Sequence, residues 1–262
     1  MVGAMPRAQH AVRSGLRRFP IVAGIIAAAL LAGGCSGSKP QDVVIRPAGT
    51  VETATATASS TAAPGAASPT ETGTPLPTGQ PGTVVTNVKD LVSKYGYPPG
   101  TNFATIRIPT LGVDARVGAR TVGRDAVMPA PAGPADVVWY DMGLWDGMGG
   151  SPGGGQNAVF SGHVDYADRV PYANVSYRGQ GVFSQLHLLS QGDIIKIDYR
   201  GQTLRYKVEW RKQLTSGGNT DWAGIWSSNT GSDAITLYTC GGEFDFQTRE
   251  YEDRVIVRAV RL

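Results

Sequence analysis

Alternation of apolar and polar residues with a period of two runs through residues 103–262 and limits the fold more than any other feature. It is clearest in the stretches FATIRIPTL, DIIKIDYRGQTLRYKVEW, AITLYT and DRVIVRAVRL. Successive side chains of a β-strand point to opposite faces, so this period indicates strands with one buried face. Helical periodicity is weak and predicts only short helices near 87–94 and 183–189. Many short strands joined by Gly- and Pro-containing turns favour a β-sandwich or a closed barrel.

The N-terminal segment has the features of an export signal. Four arginines precede an apolar core over residues 21–32, which is shorter than the roughly 20 residues of a membrane-spanning helix. The segment ends in LAGGC at Cys35, which resembles the lipobox of bacterial lipoproteins and makes Cys35 a candidate lipid-attachment site. The alternative is an uncleaved signal anchor. Either interpretation of residues 1–35 predicts an exported protein, tethered through its N-terminus to the outer face of the cytoplasmic membrane.

The next segment, residues 36–88, is rich in Pro, Thr, Ala and Ser and has almost no large apolar residues. Such a composition buries too little surface to offset the entropy of ordering, so a flexible, disordered linker is predicted. Residues 89–262 then form one domain outside the membrane. The net charge of +3 comes without a dense basic stripe, so nucleic-acid binding is not expected.

The chain has two cysteines, Cys35 and Cys240. Cys240 ends an apolar strand-like run, ITLYT, and precedes two glycines. Exported proteins usually pair their cysteines, but lipidation of Cys35 would prevent this pair from forming. A reactive thiol at a strand end is one interpretation of Cys240, and a buried, inert thiol is the other.

A cysteine nucleophile needs a base and a group that stabilises an oxyanion. Of three histidines, His163 lies after the strand-like run NAVFSG, whereas His10 falls in the signal and His187 lies among leucines. Arg254 opens the last predicted strand, and Arg249 in the preceding loop is the alternate. The sequence contains neither a cluster of metal ligands nor a phosphate-binding loop, so no metal and no cofactor are expected.

Several motifs occur together in one order: IRIPTLGVDARV at 106–117, then FSGH, then TLYTC, then TCGGEFD. This set resembles the sortases, and the last stretch is most like actinobacterial class F sortases. The resemblance extends from Thr105 to Leu262. It implies a mainly β, closed eight-stranded barrel with short helices.

The resemblance also implies a catalytic set of His163, Cys240 and an arginine, with Arg254 favoured over Arg249. It implies transpeptidation: cleavage of an LPxTG-like sorting signal between Thr and Gly through a Cys240 thioester, then transfer to a cell-wall peptide amine. Asp165 is not expected to complete a triad with His163. The competing hypothesis is a non-enzymatic cell-surface lipoprotein that binds extracellular partners and keeps Cys240 inert. A second acyl-transferase class, the L,D-transpeptidases, is disfavoured because its histidine lies close to its cysteine in sequence, unlike the separation of 240 − 163 = 77 residues here.

Overall fold

A computed structural model describes residues 43–44, 79, 82–217 and 219–262 of the chain, and all of them belong to one compact unit, Leu31–Leu262. The predicted export signal and most of the predicted linker lie outside these residues. The strands are β1 (Val43–Val44), β2 (Val84–Val85), β3 (Ala104–Ile108), β4 (Val113–Thr121), β5 (Val127–Met128), β6 (Val137–Asp141), β7 (Asn157–Gly162), β8 (Asp165–Tyr166), β9 (Arg169–Val170), β10 (Val175–Tyr177), β11 (Gly179–Gln180), β12 (Ile194–Tyr199), β13 (Gln202–Thr215), β14 (Ala234–Asp245) and β15 (Glu250–Arg261). The helices are α1 (Val88–Tyr95) and α2 (Trp222–Trp226), and 3₁₀ turns cover Pro109–Leu111 and Leu186–Leu188.

Eight strands close into a barrel in the order β12-β13-β15-β14-β7-β6-β4-β3. Most neighbours are antiparallel, but β7 runs parallel to β14 and β4 runs parallel to β6. Closure leaves no exposed edge in the main sheet. The predicted mainly β, closed eight-stranded barrel is confirmed.

The barrel buries apolar side chains on two sides. One side faces the interior, where alternate residues such as Ile106, Ile197 and Leu237 meet. The other is an outer face formed by β6, β7, β14 and β15, where Tyr238 and Ile256 pack beneath Trp226 of α2. Both faces of β14 and β15 are covered over residues 234–241 and 254–259, so every residue of these two stretches is buried.

Helix α1 agrees closely with the predicted helix. The Asn87 side chain caps its first turn by accepting from the backbone N–H of Lys89 at 2.8 Å, and Gly96, with φ of 73°, ends it. The second predicted helix, 183–189, is only the 3₁₀ turn Leu186–Leu188. No helix among the described residues is both long and apolar enough to cross a membrane.

Regular structure begins before residue 89, the predicted start of the folded domain. β2 pairs with β10, and the short strand β1 pairs with β5. β2 and β10, with β9, form a small sheet next to α1. Buried side chains of this region include Leu91 and Tyr177.

Candidate active site

Cys240 and Arg254 lie directly opposite each other on neighbouring antiparallel strands, β14 and β15. Directly opposed residues project to the same face of a sheet, with Cβ atoms about 4.5–5.5 Å apart. Cys240 is 9% exposed and Arg254 is 3% exposed. The register therefore puts the side chains of Cys240 and Arg254 side by side on the outer face of the barrel.

His163 follows the last residue of β7, the strand on the other side of β14. The last pair of the parallel ladder is Tyr238 with Ser161. Beyond it, the side-chain hydroxyl of Thr239 donates a hydrogen bond to the carbonyl of Gly162 at 2.8 Å. One step further, the same register places His163 beside Cys240. Neighbouring strands are about 4.8 Å apart, so the end of β7 lies next to the part of β14 that carries Cys240.

The imidazole of His163 is oriented by a backbone carbonyl. Its Nε2 lies 2.9 Å from the carbonyl oxygen of Pro131. A carbonyl oxygen only accepts hydrogen bonds, so Nε2 carries a proton and donates it. Nδ1 is then the nitrogen that gains and loses a proton in chemistry, and the ring also packs edge-on against Tyr166, with centroids 5.2 Å apart.

Burial dominates the acid–base behaviour of His163. Desolvation lowers the pKa of its imidazole below the ordinary value. The hydrogen bond to Pro131 and the negative charges of Asp136 and Asp165 oppose this shift. The neutral ring is therefore favoured at rest, and nearby carboxylates decide how readily it takes up a proton.

The guanidinium of Arg254 is held by the backbone around it. Its Nη1 donates to the carbonyls of Tyr251 and Asp253, each at 2.9 Å. Burial lowers the pKa of Arg254, and the side chains of Tyr238, Glu250 and Asp253 oppose the shift. An arginine nevertheless stays charged, so a fixed cation lies beside Cys240.

Other residues considered in the sequence lie elsewhere. Arg249 is exposed in the turn between β14 and β15, with φ of 60°, and is not opposite Cys240. His187 is exposed on the second 3₁₀ turn. Asp165 accepts a hydrogen bond from the hydroxyl of Tyr251 at 2.8 Å, so its carboxylate has a partner other than the imidazole. Cys35 lies outside the described residues.

Sequence reasoning missed a buried acid close to His163. Asp136 is fully buried just before β6, and its Oδ2 accepts from the backbone N–H of Ala132 at 2.7 Å. No signal in the sequence pointed to it, because an aspartate in a Pro- and Gly-rich loop before a strand is an ordinary turn residue.

A buried polar network supports the outer face below the site. Arg258 donates from Nε to the hydroxyl of Thr236 and from Nη2 to the carbonyl of Ile225 in α2, both at 2.8 Å. Asn157 accepts from Thr236 at 2.7 Å and donates to Ile225 at 3.0 Å. Arg258 is only 7% exposed, and its two hydrogen bonds tie α2 to the barrel.

A cavity of about 900 Å³ opens beside this network. Its lining is mixed. It includes the apolar side chains of Trp210, Leu214 and Ile225, the cations Lys212 and Arg258, the carboxylate of Asp221 and several neutral polar residues. Leu214 lies directly opposite Arg254 in the β13–β15 ladder, so the cavity begins one strand away from the guanidinium.

No group of three or more His, Cys, Asp or Glu side chains within the described part of the chain could hold a metal ion. The side chains considered for chemistry are instead those of Cys240, His163 and Arg254. Such a set is suited to acyl transfer, in which a thiolate attacks a carbonyl, a cation stabilises the oxyanion and an imidazole moves the proton.

Among solved structures, the chain is similar to a sortase D5 transpeptidase of Clostridium perfringens, with 19% identity and a TM-score of 0.41 over 61% of this chain and 78% of that one. It is also similar to a pilus-related sortase C of Group B Streptococcus, with 19% identity and a TM-score of 0.42 over 63% and 69% of the two chains. A lid mutant of sortase A from Corynebacterium diphtheriae gives 22% identity and a TM-score of 0.40 over 67% and 76%. No curated protein matches the chain. The sortase domain family matches residues 106–262, which is more than half of the sequence, and the chain therefore belongs to the sortase family.

Proposed function

We propose that this chain is a cysteine transpeptidase that transfers an acyl group from a peptide to an amine. The observation that carries the proposal is the strand register, in which Cys240 lies opposite Arg254 and beside the strand end that bears His163. Membership of the sortase family supports the same chemistry. Cys240 is the nucleophile, His163 the acid and base, and Arg254 the oxyanion-stabilising cation.

In the first half-reaction, the Cys240 thiolate attacks the carbonyl carbon of the scissile peptide bond. Negative charge develops on the carbonyl oxygen, and Arg254 stabilises it. The C–N bond then breaks, the protonated imidazole of His163 gives its Nδ1 proton to the leaving amine, and a thioester remains on Cys240.

In the second half-reaction, an amine attacks the thioester carbonyl. Neutral His163 takes a proton from this amine at Nδ1, the C–S bond breaks, and the thiolate is restored. Storage of the acyl group as a thioester retains the energy needed for transfer, whereas water as the acceptor would give hydrolysis.

The proposed substrate is an LPxTG-like sorting signal of a secreted protein, cut between Thr and Gly, and the proposed acceptor is a cell-wall peptide amine. The cavity beside Leu214 supports a peptide substrate, because it offers apolar surface and positive charge one strand away from Arg254. The stretch TCGGEFD supports a class F-like member of the family.

The proposed location is the outer face of the cytoplasmic membrane. Residues 1–35 would act as an export signal that ends in a lipidated Cys35 or as a signal anchor, and residues 36–88 as the tether of a catalytic domain at 89–262. The arginines and short apolar core of the N-terminus support export, and the composition of the linker supports a tether.

The test uses the full chain under reducing conditions, a library of LPxTG-like peptides and an amine acceptor. Mass spectrometry should detect a thioester on Cys240 and ligated product, and Cys240→Ala should form neither. His163→Ala should remain folded and lose turnover. Absence of both adduct and product across the library would refute the proposal.

One observation favours the competing binding-protein hypothesis, which is the low exposure of Cys240 at 9%. An inert thiol in the folded protein would be modified only as fast as the protein unfolds. A transpeptidase thiol should react with a small alkylating reagent faster than global unfolding, and this reaction should slow when His163 is replaced.

A further inference from the structure

The peptide group between Pro131 and Ala132 connects a buried carboxylate to His163. Its carbonyl oxygen accepts from Nε2 of His163 at 2.9 Å, and its N–H donates to Oδ2 of Asp136 at 2.7 Å. Both bonds engage one planar amide, whose C–N bond has partial double-bond character. A negative charge on the N–H side makes the carbonyl a stronger acceptor, because linked hydrogen bonds polarise one another.

The stability of the fold does not account for a carboxylate in this place. Asp136 is fully buried, and its Oδ1 has no hydrogen-bond partner among the described residues. Arg120 is 3.4 Å away and partly exposed to solvent. Burial raises the pKa of Asp136, although the Ala132 N–H and the positive charges of Arg120 and His163 oppose the rise. Keeping the carboxylate ionised here costs free energy of folding.

We propose that Asp136 is a positioning residue for His163, acting through the Pro131–Ala132 peptide group to orient the imidazole and to stabilise its protonated form. The proposal rests on the proposed function, in which that imidazolium protonates the leaving amine. Asp136 remains ionised throughout, and no proton passes through the amide. The proton on Nε2 stays in place, and only the Nδ1 proton is transferred.

The remaining titratable or charged groups around His163 come from its own segment and from β14 and β15: Asp165, Tyr166, Cys240 and Arg254. Among the carboxylates, Asp136 acts on the imidazole more strongly than Asp165. Asp165 also accepts from Tyr251. Asp136 is therefore the acid that combines a charge effect with a hydrogen-bonded path to the ring.

Acylation requires the Cys240 thiolate and the His163 imidazolium together. A thiol has an ordinary pKa of about 8.5 and an imidazole one of about 6.5. When the imidazolium of His163 has a lower pKa than the thiol of Cys240, the acidic limb of the kcat/KM profile reports the pKa of the imidazole. A further fall in that pKa reduces the fraction of enzyme that holds thiolate and imidazolium together, and so reduces the maximum of the profile. Loss of a charge about 8 Å away, at an effective dielectric constant of about 30, corresponds to a pKa shift of about one unit, or about tenfold in rate.

Asp136→Asn separates the charge from the hydrogen bond, because the amide oxygen can still accept from Ala132. We expect the acidic limb to move about one unit lower, the maximal kcat/KM to fall about tenfold, and Tm to stay equal or rise. Asp136→Ala also removes the acceptor and should lower both rate and Tm. Asp198→Asn is the matched control, since its carboxylate pairs with Arg107 on β3, away from the site, and its profile should match that of the parent.

Histidine-labelled full-length protein gives a readout that needs no substrate. The His163 imidazole, assigned by its absence in His163→Ala, should titrate about one unit lower in Asp136→Asn than in the parent. Unchanged titration together with an unchanged acidic limb would overturn the proposal. Loss of rate and Tm without any shift would also overturn it, because it would mean a purely structural role. A parent protein that forms no acyl-enzyme would instead refute the proposed function, and the imidazole titration would still decide the effect of Asp136.

Discussion

Thr239 provides the sharpest test of how the barrel aligns the proposed pair of His163 and Cys240. The ladder between β7 and β14 ends at Ser161 and Tyr238, and the bond from Thr239 Oγ1 to the Gly162 carbonyl continues it. Thr239 is 2% exposed, so valine should keep its shape and remove only the hydroxyl. The substitution removes one hydrogen bond from the buried carbonyl of Gly162, which costs about 0.5–1.5 kcal/mol in the free energy of unfolding.

This cost should lower Tm by about 2–4 °C for each kcal/mol in a domain of this size. The effect on catalysis should be larger. Without the bond, the ends of β7 and β14 can separate, and a displacement of about 1 Å between catalytic groups can reduce a rate by about a hundredfold. We expect kcat/KM of Thr239→Val to fall by at least about tenfold.

Thr236→Val is the control, because Thr236 is a buried threonine of the same strand that also bonds to β7, through Asn157. Thr236 additionally accepts from Arg258, so its loss should cost as much stability or more. It lies four residues before Cys240 and should affect kcat/KM much less. Thermal unfolding and peptide transfer by both variants give the comparison. If Thr239→Val and Thr236→Val lost the same fraction of kcat/KM for each degree of Tm, Thr239 would have no special role in aligning His163 with Cys240.

Three further predictions follow from neighbouring residues. Arg254→Lys should reduce kcat/KM by about a hundredfold, since one oxyanion donor contributes about that much, whereas Arg249→Lys in the exposed turn should match the parent in the same peptide assay. Arg258→Met should change the free energy of unfolding by no more than about 1 kcal/mol, because Thr236 and Ile225 both keep hydrogen bonds to Asn157. A larger loss of stability, measured by urea unfolding, would contradict this prediction. The pKa of His163 is lowered in the folded state, so the unfolded chain binds more protons near this pKa. The free energy of unfolding should therefore fall as pH drops below about 6.5. Midpoints of urea unfolding measured across pH should show this fall in the parent and not in His163→Gln.

The barrel could be predicted from the sequence because alternation is a local signal. AITLYT and DRVIVRAVRL already show strands, and the same alternation places Arg254 and Arg258 on one face, as the register bears out. The predicted helix at 183–189 was wrong in type. Its leucines do suit a helix, but the segment forms a single 3₁₀ turn, in which Leu186 is buried and His187 and Leu188 are exposed.

The surroundings of the site could not be predicted in the same way. The contact between His163 and Pro131 joins residues that are 32 positions apart, and the burial of Asp136 depends on how the segment before β6 folds over the end of β7. The polar network around Arg258 also joins residues that are far apart in the sequence, so it could not be predicted either. Alternation assigns a residue to a face of the sheet, but it does not say what covers that face, and α2 covers this one.

The two proposed partners of Cys240 are held by different kinds of pairing. Cys240 and Arg254 belong to one hairpin, and a register shift between Gly241 and Phe244 brings them opposite each other. Cys240 and His163 come from parallel strands that are far apart in sequence, so their alignment depends on closure of the whole barrel and on the bond from Thr239 to Gly162. A perturbation that loosens the barrel should therefore displace the imidazole before it displaces the guanidinium. Such a protein would keep its oxyanion cation and lose protonation of the leaving amine, so peptide should still bind while acyl-enzyme formation slows.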